Sequence, residues 1–440
     1  MESENSFYTS RLTTLLTLIG VAVGLGNVWR FPYMMGSYGG SAFLTVYLIF
    51  TFLFAVPALM AEMALGKSSR GGTLAAFTNA FGKGAGKLIG YLLLFTILIS
   101  SSYYAVVVAN VIFTTGFSMA RGFGAGHLPQ YESLLSNGLL QYGVNLLLIA
   151  GSLWIIHRGL NKGIEWVSKL IVPFFVIVIL VLIFYALSLP GAFGHLGEFL
   201  KPDLTALTAD QLFAALGQSF FSIGLGGTFM VVYGGYLKDE ESIPKIALST
   251  CLGDAGASLL ASLFLVPTML VYGLDMASGP GLIFTTMPKL FGQMPLGRLF
   301  GSLFLLALSA IAFLSLVAAY QVIVGSIDKE VFPRVRRSRI IIGLGLVQAA
   351  LVLPSNLYPQ IIGTLDLVFG SGMQIFGSVL AILGIVWGLG KNETIRQIFG
   401  AGEPTPKMNF TVFWLRWAVP AVLLAVLLGY VYSVLFPVSS

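Results

Sequence analysis

Charge is what this chain has least of. Lysine, arginine, aspartate and glutamate make up only 10% of its 440 residues, while 57% are hydrophobic and the mean hydropathy is +0.90. So little polar surface cannot clothe a water-soluble globule, and a polytopic membrane protein is the class that remains. Cysteine is nearly missing. Cys251, inside an apolar run, excludes an intramolecular disulfide and a thiolate metal cluster, and reads as a small buried apolar residue. The three histidines, His127, His157 and His195, stand at run ends or in loops, with no second histidine or carboxylate cluster at metal-ligand spacing. Metal-dependent catalysis therefore has no support. The glycine strings miss the spacing of a dinucleotide loop, so no organic cofactor is expected and the chain does not read as an enzyme.

What is present is hydrocarbon in long runs. A layer about 30 Å thick needs about 20 residues of helix, and eleven runs qualify, near 11–35, 41–66, 88–117, 140–157, 165–188, 211–236, 245–272, 297–327, 339–354, 361–388 and 412–436. The first follows acidic Glu2 and Glu4 and lacks a small-residue cleavage site, so it reads as a retained helix rather than a signal peptide. With the N-terminus cytoplasmic, 19 of the 24 basic residues fall inside; only Arg30, Arg121, Lys201, Lys289 and Arg298 fall elsewhere. That bias fixes the orientation in a plasma (inner) membrane and, with an odd number of spans, places Ser440 outside. The net charge of +6 is topological and gives no reason to invoke nucleic acid.

Two runs are interrupted. Val21-Ala22-Val23-Gly24-Leu25-Gly26-Asn27-Val28-Trp29-Arg30-Phe31-Pro32 sets helix-weakening residues inside the first, and Phe221-Ser222-Ile223-Gly224-Leu225-Gly226-Gly227-Thr228 sets nearly the same string inside the sixth. Irregular backbone at membrane depth is tolerated only against protein or a watery cavity. Breaks at matching places in two halves point to a midplane binding site of a secondary transporter. Five runs in each half imply inverted repeats, 1–190 and 191–390, followed by 391–440 with a polar cytoplasmic linker, 391–411, and one appended helix. The connections 118–139, 189–210 and 273–296 are external, and the last is apolar enough to fold back over a vestibule.

Gly24 to Pro32, Gly39-Gly40-Ser41-Ala42-Phe43, Glu62-Met63-Ala64-Leu65-Gly66, Tyr103-Tyr104, Gln218-Ser219-Phe220-Phe221 and Gly279-Pro280-Gly281-Leu282-Ile283-Phe284 resemble the bacterial neurotransmitter:sodium symporter family. The resemblance implies an all-α leucine-transporter fold of the eleven-helix type. It also implies sodium-coupled amino acid uptake by alternating access. The alternative is a membrane amino-acid sensor on the same fold that does not transport.

A broken helix presents amide donors at the start of its second half and carbonyl acceptors at the end of its first, suited to a carboxylate and a cation. The Leu25 and Gly26 amides are expected to hold a substrate carboxylate with the Tyr104 hydroxyl. The resemblance lines the pocket with Ala22, Gly24, Ser100, Tyr104, Phe221, Ser222, Gly224, Gly227, Ser315 and Ala319. Small residues there favour a large hydrophobic or aromatic side chain. Gly24, where amine carriers of the family place an aspartate, requires a carboxylate on the substrate.

The first sodium is implied at Ala22, Asn27, Ser222 and Asp254. An acid inside a membrane span is expensive enough to be functional by default, and a fixed carboxylate would make chloride dispensable. A second sodium would use Gly20, Val23, Ile311 and Ser315, but the ungapped register through Gln321 sets Leu314 where relatives supply an oxygen. Either that ion binds weakly, or coupling relies on the first site, or the register is shifted. Leu314 also forfeits an ionic brace between the first and eighth helices. The inner gate's arginine and aspartate read Asn5 and Lys329, leaving Tyr8 and Tyr236 as substitute contacts. The outer gate keeps Arg30 facing Asp366, with Gln218 alongside and Phe221 as a lid. Glu62 is expected to accept bonds from the unwound first helix. Gly163, ten positions before Pro173, resembles the family segment that unwinds toward the cytoplasm; a plain proline kink explains the spacing equally.

Overall fold

Glycine decides where helices stop and where they touch. The computed structural model describes residues 7–201, 207–276, 279, 281–328, 330–400 and 402–435, and among these residues every regular element is helical. Among the described residues, nine helices are long and apolar enough to cross a membrane, ten when the bent pair Arg11–Ala22 and Gly26–Ser37 is taken as one span. The sixth run forms two shorter pieces, Ala209–Ser222 and Phe229–Gly234. The remaining runs begin and end within a few residues of their hydropathic limits. Within the linker 391–411, Lys391–Phe399 is helical and buries Ile395 and Ile398. Its apolar residues recur at i and i+3, a stripe too short to register as a hydrophobic run.

The first helix starts at a capping box, with Ser10 accepting from the Thr13 amide and Thr13 answering Ser10. Its first half packs among Leu160–Ser188, Ile243–Val271 and Gly297–Ile327. The 36-residue helix Ala85–Ala120 lies along Gly297–Ile327 and walls the other side of the centre. Outside this frame, Trp414 of the last helix donates to the Leu53 carbonyl at 2.7 Å and stacks on Phe54. The connection after 273 packs onto the protein: Trp29 Nε1 donates to the Gly279 carbonyl at 3.0 Å, and Leu282, Ile283, Met287, Leu290 and Phe291 are buried. Pro280 of the motif lies outside the described residues.

The second piece of the sixth run is held against Ser41–Ser69 by close backbone approach. A Cβ on Gly66 would lie 1.8 Å from the Val231 carbonyl oxygen, and one on Gly234 would lie 2.5 Å from that of Met63. Overpacking a site that cannot yield costs ~1–3 kcal/mol or more. Gly66→Ala is therefore expected to lower the thermal unfolding midpoint of the detergent-solubilised protein by several degrees. Gly116→Ala, which meets nothing within 4 Å, serves as the silent control.

Candidate functional site

Both breaks open onto one cavity. In the first helix the regular turns end at Ala22, Val23 turns extended, and the chain resumes with a wide turn over Gly26–Arg30, bent by 60°. The Asn27 side chain stabilises this corner by accepting from the Gly24 amide at 2.9 Å. In the sixth run Gly224 and Gly227 take φ of +70° and +71°, the left-handed region open to glycine. The backbone freed there is captured by a buried acid: Glu62 Oε1 accepts from the amides of Gly226 and Gly227, each at 3.0 Å. Glu62 thus supports the sixth-run break, not the first-helix break that the sequence suggested. Hydropathy locates an intramembrane acid but does not say which of two similar glycine strings it faces.

The cavity encloses about 130 Å³. Ala22, Gly24, Leu25, Gly26, Ser100, Tyr104, Phe221, Ser222, Gly224, Ser315 and Ala319 line it, as expected. Gly227 is a correction. It sits behind the wall, where its amide serves Glu62 and a Cβ would lie 2.5 Å from the Gly377 carbonyl oxygen. At the floor, a Cβ on Gly24 would lie 3.1 Å from Ser315 Oγ and 3.3 Å from the Tyr104 hydroxyl. A side chain at this position would press on both hydroxyls and push them back from the break.

Beside the cavity lies the buried carboxylate of Asp254. Ser222 Oγ donates to its Oδ2 at 2.7 Å, and Asn27 Nδ2 lies 2.6 Å from its Oδ1. The same Asn27 nitrogen lies 2.9 Å from Ser222 Oγ, 2.9 Å from Ser258 Oγ and 3.1 Å from the Asp254 carbonyl. Two amide hydrogens cannot serve four oxygens. The cluster therefore has acceptor capacity to spare, around a buried carboxyl group, at the junction of three helices.

Known sequences and structures account for this combination. The Sodium:neurotransmitter symporter family matches residues 5–124 and 125–437. The chain belongs to that family. It is 27% identical over 438 residues to an uncharacterized sodium-dependent transporter, YhdH, of Bacillus subtilis, covering 96% of this chain and 97% of the relative. It is 25% identical over 480 residues to the sodium- and chloride-dependent GABA transporter 2 of Macaca fascicularis, covering 94% of this chain and 78% of the relative. Among solved structures, MhsT in complex with L-phenylalanine superimposes with a TM-score of 0.84 at 28% identity, covering 96% of this chain and 99% of that one. The protein is a sodium-dependent symporter with the leucine-transporter fold, and its multi-pass membrane character follows from both family and helices.

The eighth helix meets the first-helix break at Ser315 and Leu314. Ser315 Oγ donates to the Val23 carbonyl at 2.8 Å and lies 3.3 Å from that of Ile311. Leu314 is fully buried, and a Cβ on Gly20 would lie 2.5 Å from its Cδ2. Hydrocarbon thus packs between the first and eighth helices and braces them by packing rather than by charge.

At the outer mouth the Arg30 guanidinium stacks 4.2 Å over the Phe221 ring, and Asp366 accepts from the Tyr103 hydroxyl at 3.1 Å. Gln218 is buried, with neither amide atom hydrogen-bonded among the described residues. At the inner mouth Tyr8 meets Tyr236 edge-on, and Gln321 donates to the Tyr236 hydroxyl at 2.8 Å. Asn5 and Lys329 lie outside the described residues. Sequence reasoning missed Ser258, which the i, i+4 spacing from Asp254 places on the same helix face. It also missed Ile97, Phe229 and Gln374 in the cavity wall; no motif marks them.

Proposed function

We propose that this symporter imports amino acids with large hydrophobic or aromatic side chains, together with sodium and without chloride, by alternating access. The observation that carries the reading is the convergence of both breaks, the Tyr104 hydroxyl and the Asp254 cluster on one cavity. The carboxylate of the substrate docks on the Leu25 and Gly26 amides, since the first amides of a helix lack intrahelical partners and carry its positive dipole end. Sodium, as co-substrate, is held by the Ala22 carbonyl, Asn27, Ser222 and Asp254. The side chain lies toward Ser100, Phe221, Gly224 and Ala319. That the related MhsT was solved with L-phenylalanine supports this size class. The relative named for chloride dependence gives the contrast that the fixed Asp254 charge addresses.

Eleven spans in a 5+5 arrangement, with residues 1–190 and 191–390 as inverted repeats and 391–440 appended, complete the reading. The N-terminus is cytoplasmic. A sensor that binds without transporting is separated by concentrative uptake into proteoliposomes, which it would not perform.

Three outcomes follow from the assigned roles. A hydrogen bond to a charged group is worth ~1.5–3 kcal/mol, so Tyr104→Phe should weaken equilibrium binding of phenylalanine or tryptophan by roughly 10- to 100-fold. Tryptamine should not compete; equal binding of tryptamine and tryptophan would contradict the carboxylate dock. Uptake should survive exchange of chloride for gluconate, whereas Asp254→Ser should abolish uptake or render it chloride-dependent. Wild-type uptake that stops in gluconate would rule out Asp254 as the charge partner. Finally, sodium titration should give a Hill coefficient near one, and Leu314→Thr should raise sodium affinity or cooperativity. Two tightly bound ions in the wild type, unchanged by Leu314→Thr, would refute the weak second site.

A further inference from the structure

Arg70, Arg337 and Arg396 each have an acid of their own, Asp239, Asp328 and Glu393. A second basic group does not. Arg158, Lys162 and Lys169 line one cleft of about 490 Å³ together with Asn161 and Trp166, where the span Gly138–His157 ends and the span Leu160–Ser188 begins. All three are exposed, and no ion pair among the described residues includes them. Glu165, the one acid between 150 and 170, is fully buried and turned to Thr9, whose amide and hydroxyl donate to it at 2.9 and 2.6 Å. Three like charges therefore share one hollow that no exposed acid of this segment neutralises.

The walls of the cleft are fixed by packing. Gly159 turns the chain with a φ of +80°, and a Cβ on Gly163 would lie 2.2 Å from the Ile155 carbonyl oxygen and 3.2 Å from the Arg158 Cβ, so the two helix ends are clamped beside the hollow. The Arg158 guanidinium rests 4.3 Å from the centre of the Trp154 ring, which restrains it by a cation–π contact. Asn161 adds an acceptor, because its buried side-chain oxygen has no hydrogen-bond partner among the described residues. The surroundings then decide what kind of anion fits. A turn between two spans lies at the depth of lipid headgroups, and Trp154 and Trp166, each 53% exposed, are the amphipathic rings that favour that depth. Leu170, 61% exposed, carries the same surface on toward hydrocarbon.

We propose that this cleft binds the headgroup of an anionic phospholipid of the phosphatidylglycerol type. The phosphodiester lies among Arg158, Lys162 and Lys169, a headgroup hydroxyl donates to the Asn161 oxygen, and the acyl chains run along Trp166 and Leu170. Basic pockets between spanning helices hold anionic headgroups in this way. Phosphatidylcholine has the same phosphate but brings its own quaternary cation, which three protein cations repel, so charge supplies the discrimination. A soluble anion would meet the same cations and leave the indoles and Leu170 without a partner. None of the lining residues belongs to the substrate cavity, and the assignment does not depend on which amino acid that cavity accepts.

The test is native mass spectrometry of the full chain in detergent micelles, titrated with phosphatidylglycerol and with phosphatidylcholine of identical acyl chains. The wild type should bind its first phosphatidylglycerol about tenfold or more tightly than phosphatidylcholine. Arg158→Gln/Lys162→Gln/Lys169→Gln should lose that preference. Arg334→Gln/Arg336→Gln/Arg339→Gln, which removes the same charge from exposed positions elsewhere, should keep it. Trp154→Leu takes away only the ring beside Arg158 and should weaken phosphatidylglycerol by about threefold, a milder variant that serves if the first triple variant fails to fold. Millimolar inorganic phosphate should not displace the lipid. Equal binding of the two lipids by the wild type, a preference retained in the first triple variant, or an equal loss in the second would overturn the proposal. Displacement by inorganic phosphate would overturn it in favour of a soluble anion. Because no amino acid is present, failure here is distinct from failure of phenylalanine or tryptophan to bind.

Discussion

A helix broken in hydrocarbon leaves backbone groups that water cannot reach, and two buried carboxylates make the breaks of this protein tolerable. An unsatisfied backbone group in such a setting costs several kcal/mol, on the order of a third of a domain's net stability. Glu62 meets the cost in the sixth run by accepting two amides with one oxygen. In the first helix the solution is indirect. Asn27 accepts the Gly24 amide, and its own amide group is oriented by Asp254. Removing either acid would leave more than a missing contact, because the glycine segments have no regular structure to fall back into.

These two acids also explain why the cavity is preformed. Glu62 ties the sixth run to the second, and Asp254 ties the seventh to the first and sixth through Asn27 and Ser222. Gly66 and Gly234 bring the second helix and the end of the sixth run into backbone contact. A site held by four elements on short polar bonds loses little conformational entropy when it is filled, which is the general advantage of preorganisation.

The sequence made the breaks legible because glycine, asparagine and arginine are conspicuous within hydrocarbon. It made Asp254 legible because a carboxylate at membrane depth costs too much to sit there idle. The family resemblance then implied that Tyr104, Phe221 and Ser315 share one cavity. Hidden were the contacts between elements distant in the chain. Glu62 could face either break by hydropathy alone, and Gly227 resembles Gly224 until the tenth helix is seen to press on it at Gly377. Thr9 and Glu165 are ordinary residues 156 positions apart, and neither periodicity nor a motif connects them. Local pattern gives the face of a helix; which partner covers that face is a property of the packed bundle.

The contact between Leu314 and Gly20 bears on how such a transporter cycles. An oxygen cage between the first and eighth helices would lose its brace when its cation leaves, so ion release itself would loosen the first helix. Hydrocarbon packing offers no such trigger, because it persists whether or not an ion is bound. On the proposed reading, the free energy that sodium can exert on the gate therefore enters at Asn27 and Asp254, on the C-terminal side of the contact, while Thr9 and Glu165 hold the helix at its N-terminal end. The half-helix Arg11–Ala22 lies between these two holds, packed on Leu314 near one end. Any tilt of this half-helix must break the hydrogen bonds of Thr9 to Glu165 at one end and slide against Leu314 at the other.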